Sequence, residues 1–311
     1  MVAPNTPGSA QVTAHGDRSA CRPNTFVIGA MKSGTSSLHR YLDCHPLVGM
    51  SPFKEPAYFL GPVRRSGPAA LSDRYRNDLG EYLSLFAGMQ DKPIRGESTT
   101  DYAKLPRFEG VPERIRGFEP AARIIYLMRD PVERTISHYW WAVQKEHETR
   151  DLLTAVREEP FYTDVSDYAR QLGAYLSVFP TNQVYVETTE RLEAQPEQAL
   201  RDLWSWLGLD PDIARLEATA RINVTPETVT RTRSTLLQGL RHSRAGAVLT
   251  RTLPRPLRAL GRNLAELTVE RSSMATDDAR DFLRRALRPR VEMLSDLLGR
   301  RFDEWTTFHA A

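Results

Sequence analysis

The chain has 311 residues, 41% of them hydrophobic and 26% charged, with a formal net charge of +3 and a sequence pI near 8.9. That composition excludes a disordered chain, and no run approaches the ~20 apolar residues a bilayer span requires, so no membrane partner is expected. The mild basicity suits small anionic ligands and is too slight to argue for nucleic acid.

Residues 1–24, rich in Pro, Gly, Ser, Thr and Ala, read as a disordered leader. They lack the charged-then-apolar pattern of an export signal, and Cys21 and Cys44 have no metal-ligand spacing, so a cytoplasmic chain with reduced thiols is expected. No linker marks a boundary in residues 25–311, which read as a single domain.

Thr25-Phe26-Val27-Ile28 is a β-branched, apolar run that reads as a buried strand. Gly29 and Gly34 bracket a turn, and Thr35 opens a helix. Strand, glycine turn and helix N-terminus together form an anion cradle of free amides. The glycine spacing is that of a nucleotide P-loop, but Thr35 stands where the nucleotide triphosphatase lysine belongs, and the lysine lies inside the loop at Lys32. Leu47-Val48-Gly49-Met50 predicts a short second strand, followed by a loop that holds Lys54 and Glu55 between Pro52 and Pro56. A solvated surface pair and a functional pair are both compatible with that loop; its rigidity and the flanking Phe53, Tyr58 and Phe59 favour function.

Tyr82, Leu83 and Phe86 share one face of a helix beginning at Leu79. A strand ends in Glu97-Ser98-Thr99-Thr100-Asp101-Tyr102, and Val111-Pro112 starts a short helix. Ile124 to Met128 is unbroken apolar sequence, as in a strand buried on both faces of a parallel sheet. Arg129 ends it, where open α/β sheets bind ligands. Asp130 and Pro131 then start a helix, Glu133 reads as the second half of a capping box, and Ser137 lies two turns on. Tyr139, Trp140 and Trp141 read as core or wall. A strand at 183–187, an amphipathic helix at 196–207 and a final helix at 277–298 follow. Residues 226–271, rich in arginine, read as a helical lid or acceptor-side segment.

Two strand–turn–helix units, one presenting Lys32 and hydroxyls and the other Arg129 and Ser137, suggest a nucleoside with phosphates at both ends. Lys32-Ser33-Gly34-Thr35-Ser36-Ser37-Leu38 resembles the 5′-phosphosulfate loop of sulfotransferases that use 3′-phosphoadenosine 5′-phosphosulfate (PAPS). Leu127 to Arg134 with Ser137 resembles their 3′-phosphate motif. Lys54 to Phe59 and Gly299 to Trp305 are similar to segments of the heparan sulfate branch and its bacterial relatives.

The resemblance implies an α/β, P-loop-type three-layer fold, a central parallel sheet flanked by helices. It implies a bacterial enzyme that moves a sulfuryl group from PAPS, releasing PAP, to a hydroxyl or amine of a small-molecule or saccharide acceptor. Ser33, Gly34, Thr35, Ser36 and Ser37 hold the 5′-phosphate, Lys32 stabilises the leaving phosphate, and Arg129 and Ser137 bind the 3′-phosphate. Glu55 is then the general base, with His138 as the alternative, and His45 and Asp101 as weaker candidates. No metal is required, because a sulfuryl group carries less charge than a terminal phosphoryl group; a homodimer is allowed. Two features depart from the pattern. Ser98 or Thr99 stands where the branch usually carries a lysine, and the late cofactor loop is not evident, leaving Arg231, Arg233 and Arg241 as substitutes. The rival readings are a P-loop kinase and a non-catalytic nucleotide-binding module.

Overall fold

Five short apolar or β-branched runs pair into one parallel sheet: β1 (Thr25–Gly29), β2 (Val48–Met50), β3 (Ile94–Ser98), β4 (Arg123–Met128) and β5 (Val184–Thr188). The computed structural model describes residues 21–61, 71–145, 148–212, 228–232, 266–270 and 276–309. The strand order is β2-β3-β1-β4-β5, with every pairing parallel. From β1 the chain crosses to one side to lay down β2 and β3, and then to the other for β4 and β5. The sheet therefore switches direction at β1, and its ligand crevice is expected beyond the carboxyl ends of β1, β3 and β4.

β1 and β4 are apolar on both faces because both faces are covered. Phe26, Ile28, Ile124, Tyr126 and Met128 face an aromatic-rich layer with Phe59, Tyr82, Phe86, Tyr102, Tyr168 and Trp305. Val27, Ile125 and Leu127 face the other layer. There they meet Leu38 and Leu42 of α1 (Thr35–Asp43) and Leu200, Leu203 and Trp204, which lie on the helix Pro196–Trp206. Side chains alternating across a strand thus supply both interfaces of a three-layer α/β sandwich. Leu127 is fully buried between its neighbours, so its truncation to Ala should cost ~2–5 kcal/mol.

The helix Pro131–Lys145, called α2 below, buries its Val132, Ile136, Tyr139, Trp140 and Val143 against the helix Leu152–Glu158 and the long C-terminal helix Asp277–Leu298. Asp130 caps α2 as expected, its Oδ1 accepting from the amides of Val132 and Glu133. The capping box does not form. Glu133 pairs instead with Arg280, and the Asp130 amide donates to Glu190 at 2.8 Å. A neighbouring strand–helix unit has taken the place of the local partner.

Two further expectations change. Of the proposed leader, residues 1–20 lie outside the described residues, but 21–24 are fastened to the fold: the Arg22 guanidinium lies 4.0 Å over the Phe118 ring, and Asn24 donates to the Pro93 carbonyl at 2.8 Å. Of the stretch read as helical, 228–232 and 266–270 are strands paired antiparallel, with the first lying beside α2. Their β-branched runs, Thr228-Val229-Thr230 and Leu267-Thr268-Val269, favour that state. The rest of the stretch, including Arg233 and Arg241, lies outside the described residues, as does the side chain of Arg231. No helix among the described residues is long and apolar enough to cross a membrane.

Candidate active site

The turn after β1 closes on Gly34, which caps α1 in the left-handed region at φ 84°, a conformation open to glycine at little cost. No side chain caps this nine-residue helix; the Ser37 amide closes onto the Gly34 carbonyl at 2.9 Å, and the helix N-terminus carries no side-chain anion of its own, as suits an anionic ligand. Lys32, half-buried, also has positive φ (71°), a strained state for a residue with a Cβ. Ser33 and Thr35 are buried at the base of the loop, while Ser36 and Ser37 are half-buried on its helical side.

The second unit reaches the first. Arg129 Nη1 lies 3.5 Å from the Lys32 carbonyl oxygen, and the Thr189 hydroxyl is within hydrogen-bond reach of both the Ser33 and Met128 carbonyls, at 2.7 and 2.9 Å. The Tyr168 hydroxyl donates to the Arg129 carbonyl at 2.8 Å, fixing the backbone at the strand end. Ser137 is buried on α2. The geometry thus brings Lys32 and Arg129 to one crevice, with Ser137 two turns along the helix that leaves it.

The C-terminal segment locks this corner. Phe302 and Trp305 stack with ring centroids 4.1 Å apart, and Trp305 Nε1 donates to Glu190, whose other oxygen receives the Asp130 amide. The Thr307 hydroxyl donates to Asp130 Oδ2 at 2.6 Å. Burial raises the pKa values of Asp130 and Glu190. The closing motif read from the sequence is therefore a clamp on the Arg129-Asp130 turn.

The loop between the two prolines folds over the crevice from the β3 side. The Glu55 amide donates to the Ser98 carbonyl at 2.9 Å, and Glu55 Oε2 receives the Thr100 amide at 2.8 Å. Lys54 Nζ sits 2.7 Å from Glu55 Oε1 and 3.2 Å from Thr35 Oγ1. A single ammonium thus bridges the acid to the first residue of the phosphate-loop helix. The sequence favoured a functional Lys54–Glu55 pair; the placement of the ammonium between the glycine loop and the acid was not legible.

His39 is a residue that the sequence reading passed over. It projects from α1, with Nε2 3.1 Å from the Ser51 carbonyl and Nδ1 2.8 Å from Ser98 Oγ. Burial, then the nearby Lys54 charge, lowers its pKa from 6.5, so the ring is neutral: Nε2–H donates to Ser51 and Nδ1 accepts from Ser98. Ser98, one of the two departures noted above, is thus engaged with an imidazole.

His138 is placed differently from an acid–base residue. It is fully buried on α2, with Tyr162, Phe161 and Trp141 rings 4.8, 5.6 and 6.1 Å from its own. Burial, then Arg134, Lys104, Lys32 and Arg107, holds it neutral with a pKa well below 6.5. His45 is also internal, bonded to the Asp210 carbonyl and the Leu47 amide. Asp101 is taken by Lys104 in a buried pair at 2.5 Å. Among the described residues, no cluster of three or more His, Cys, Asp or Glu side chains is placed to hold a metal ion.

A parallel five-stranded sheet with a glycine-bracketed anion loop at its switch point, faced by a second cationic strand end, defines a P-loop-like group-transfer fold. Residues 23–212 match the model of the sulfotransferase family, and the chain belongs to that family. It is similar to the sulfotransferase of Alicyclobacillus acidocaldarius, with a TM-score of 0.65 and 27% identity over 92% of this chain and 99% of that one. Among curated proteins, it is 29% identical over 216 residues to human heparan sulfate glucosamine 3-O-sulfotransferase 3B1, covering 66% of this chain and 51% of that protein. It is 36% identical over 124 residues to the membrane-associated sulfotransferase kil1 of Dictyostelium discoideum, covering 40% of this chain and 24% of that protein. The chain spans between about a quarter and about half of these curated relatives.

Proposed function

We propose that the protein transfers a sulfuryl group from PAPS to a hydroxyl of a saccharide or other small-molecule acceptor, with Glu55 as general base. The observation that carries this reading is the Thr35–Lys54–Glu55 bridge, which sets a carboxylate directly against the phosphate loop. The residues present fit the donor. Uncapped amides at the start of α1 suit the 5′-phosphate, and Arg129 with Ser137 suits the 3′-phosphate through charge-assisted hydrogen bonds. Family membership and the saccharide relatives support the donor and the acceptor class respectively.

In the reaction, the acceptor oxygen bonds to sulfur as the bond from sulfur to the bridging phosphate oxygen breaks. The acceptor proton passes to Glu55, and PAP leaves with the new charge on its 5′-phosphate, where Lys32 and the loop amides stabilise it. The Thr100 amide holds the Glu55 carboxylate in one orientation for that proton transfer. Glu55 is preferred to His138 because the imidazole is enclosed by aromatic rings and four cations, both of which oppose its protonation.

The test is transfer of labelled sulfur from PAPS to a panel of phenols, sugars and aminoglycosides. Glu55→Gln should keep PAP affinity and lose turnover by about 10²–10⁴, and Lys32→Ala should abolish transfer. Full turnover in Glu55→Gln would sink the base assignment. Stabilisation by ATP with Mg²⁺ rather than by PAP in a thermal-shift screen would sink the donor assignment and favour a kinase. PAP binding with no transfer to any acceptor would favour a non-catalytic module.

A further inference from the structure

Glu97 is fully buried at the end of β3, where the mechanism does not use it. Its Oε1 receives the Tyr82 and Tyr102 hydroxyls at 2.8 and 2.9 Å, and its Oε2 receives the Thr99 hydroxyl at 2.7 Å. Two of those three hydroxyls are themselves acceptors. Thr99 Oγ1 takes the Ala57 amide at 3.3 Å, and the Tyr102 oxygen takes the Phe59 amide at 3.2 Å. Each relay therefore runs in one direction, from loop amide to hydroxyl to carboxylate, and polarisation strengthens both links.

The loop needs such an anchor. Glu55 and Ala57 both have positive φ, 65° and 60°, on either side of Pro56. Residues with a Cβ persist in that region only where their surroundings over-determine them, and such strain gathers at functional sites.

We propose that Glu97 is a positioning residue whose buried carboxylate, through Thr99 and Tyr102, holds the strained 54–59 loop and so fixes Glu55 against the phosphate loop. This rests on the assignment of Glu55 as base. The titratable groups facing Glu97 are Tyr82, Tyr102 and, from the loop itself, Glu55. An uncharged residue of the same shape does not substitute. A glutamine carboxamide has one acceptor oxygen where the carboxylate has two: with its nitrogen at the Oε2 position the relay through Thr99 to Ala57 breaks, and with its nitrogen at the Oε1 position the relay through Tyr102 to Phe59 breaks.

The test is amide hydrogen exchange on the full chain, wild type against Glu97→Gln and Thr99→Val, with PAP affinity and turnover from PAPS measured in parallel. The Ala57 amide in Thr99→Val, and the Ala57 or the Phe59 amide in Glu97→Gln, should exchange at least tenfold faster, while the phosphate-loop amides and PAP affinity stay as in wild type. Turnover of any acceptor active with wild type should fall at least tenfold in Glu97→Gln without a rise in acceptor KM, and Glu97→Gln should be no less stable than wild type at pH 8. A merely structural residue would instead lose stability and activity together. Wild-type exchange at Ala57 and Phe59, or wild-type turnover in Glu97→Gln, would overturn the proposal. Faster exchange in Glu97→Gln beside full turnover in Glu55→Gln would overturn the base assignment and leave the loop anchor standing.

Discussion

Glu97 makes a quantitative prediction for the stability of the fold. Burial raises its pKa from 4.5 to about 7, against the opposing pull of the Thr99, Tyr82 and Tyr102 hydroxyls. Below pH 4.5 the carboxyl is protonated in both folded and unfolded chains. Between pH 4.5 and 7 the folded chain keeps a proton that the unfolded chain has released, so stability falls as pH rises through this window. That rise from 4.5 to about 7, at ~1.36 kcal/mol for each tenfold change in proton affinity, amounts to ~3 kcal/mol lost by pH 8. Glu97→Gln cannot titrate. It loses hydrogen-bond energy of ~1–2 kcal/mol at every pH but escapes the pH-dependent cost. Urea unfolding of both proteins from pH 4.5 to 8 should give curves whose difference moves by ~3 kcal/mol in favour of the variant as pH rises. Asp130 and Glu190, also raised by burial, cancel in that difference. Parallel curves would refute the argument, since they would mean that Glu97 is equally free to ionise in both states. The cost is of the kind expected where a fold gives up stability to hold a functional loop.

Lys54→Met removes the bridge between Glu55 and Thr35; turnover should fall by about 10²-fold, while unfolding free energy, for so exposed a pair, should move by no more than ~1 kcal/mol. Thr307→Val withdraws a hydroxyl from the Asp130 carboxylate and should destabilise by ~1–3 kcal/mol, more at pH 7 than at pH 4, because the lost bond favours the charged form; chemical denaturation at the two pH values checks it. His138→Leu keeps an apolar side chain among the same rings, so turnover should stay within about tenfold of wild type, whereas a base would cost 10²–10⁴; steady-state kinetics decides.

The strands and the glycine-bracketed turn were legible because each is local. A β-branched run, a glycine-bracketed turn and a helix opening state their geometry within a few residues, and the Ile124–Met128 run states burial on both faces. Lys32 and Arg129 could be paired in advance because parallel strands place their carboxyl ends at one edge of the sheet. The final helix read at 277–298 is found with those bounds.

Whatever depended on a partner distant in sequence was not legible. Glu133 looked like the mate of Asp130, yet Glu190, about sixty residues on, took that amide, because β5 ends beside β4. His39 lies one turn into a helix, and its bonding shows only when Ser98 and Ser51 arrive at its two nitrogens. Glu97 read as an ordinary strand end; its burial beneath Tyr82 and Tyr102 is a property of the packed aromatic layer, not of its neighbours. The sequence by itself determined that a glycine-bracketed turn joins a buried strand to a helix and which strands stand beside it, since short-range sterics and hydrophobic period set those. Only the tertiary structure decided what aims Glu55 at that loop, because the strain at Glu55 and Ala57 is held by hydroxyls and a buried charge about forty residues away, and long-range contacts of that kind leave no local pattern in the chain.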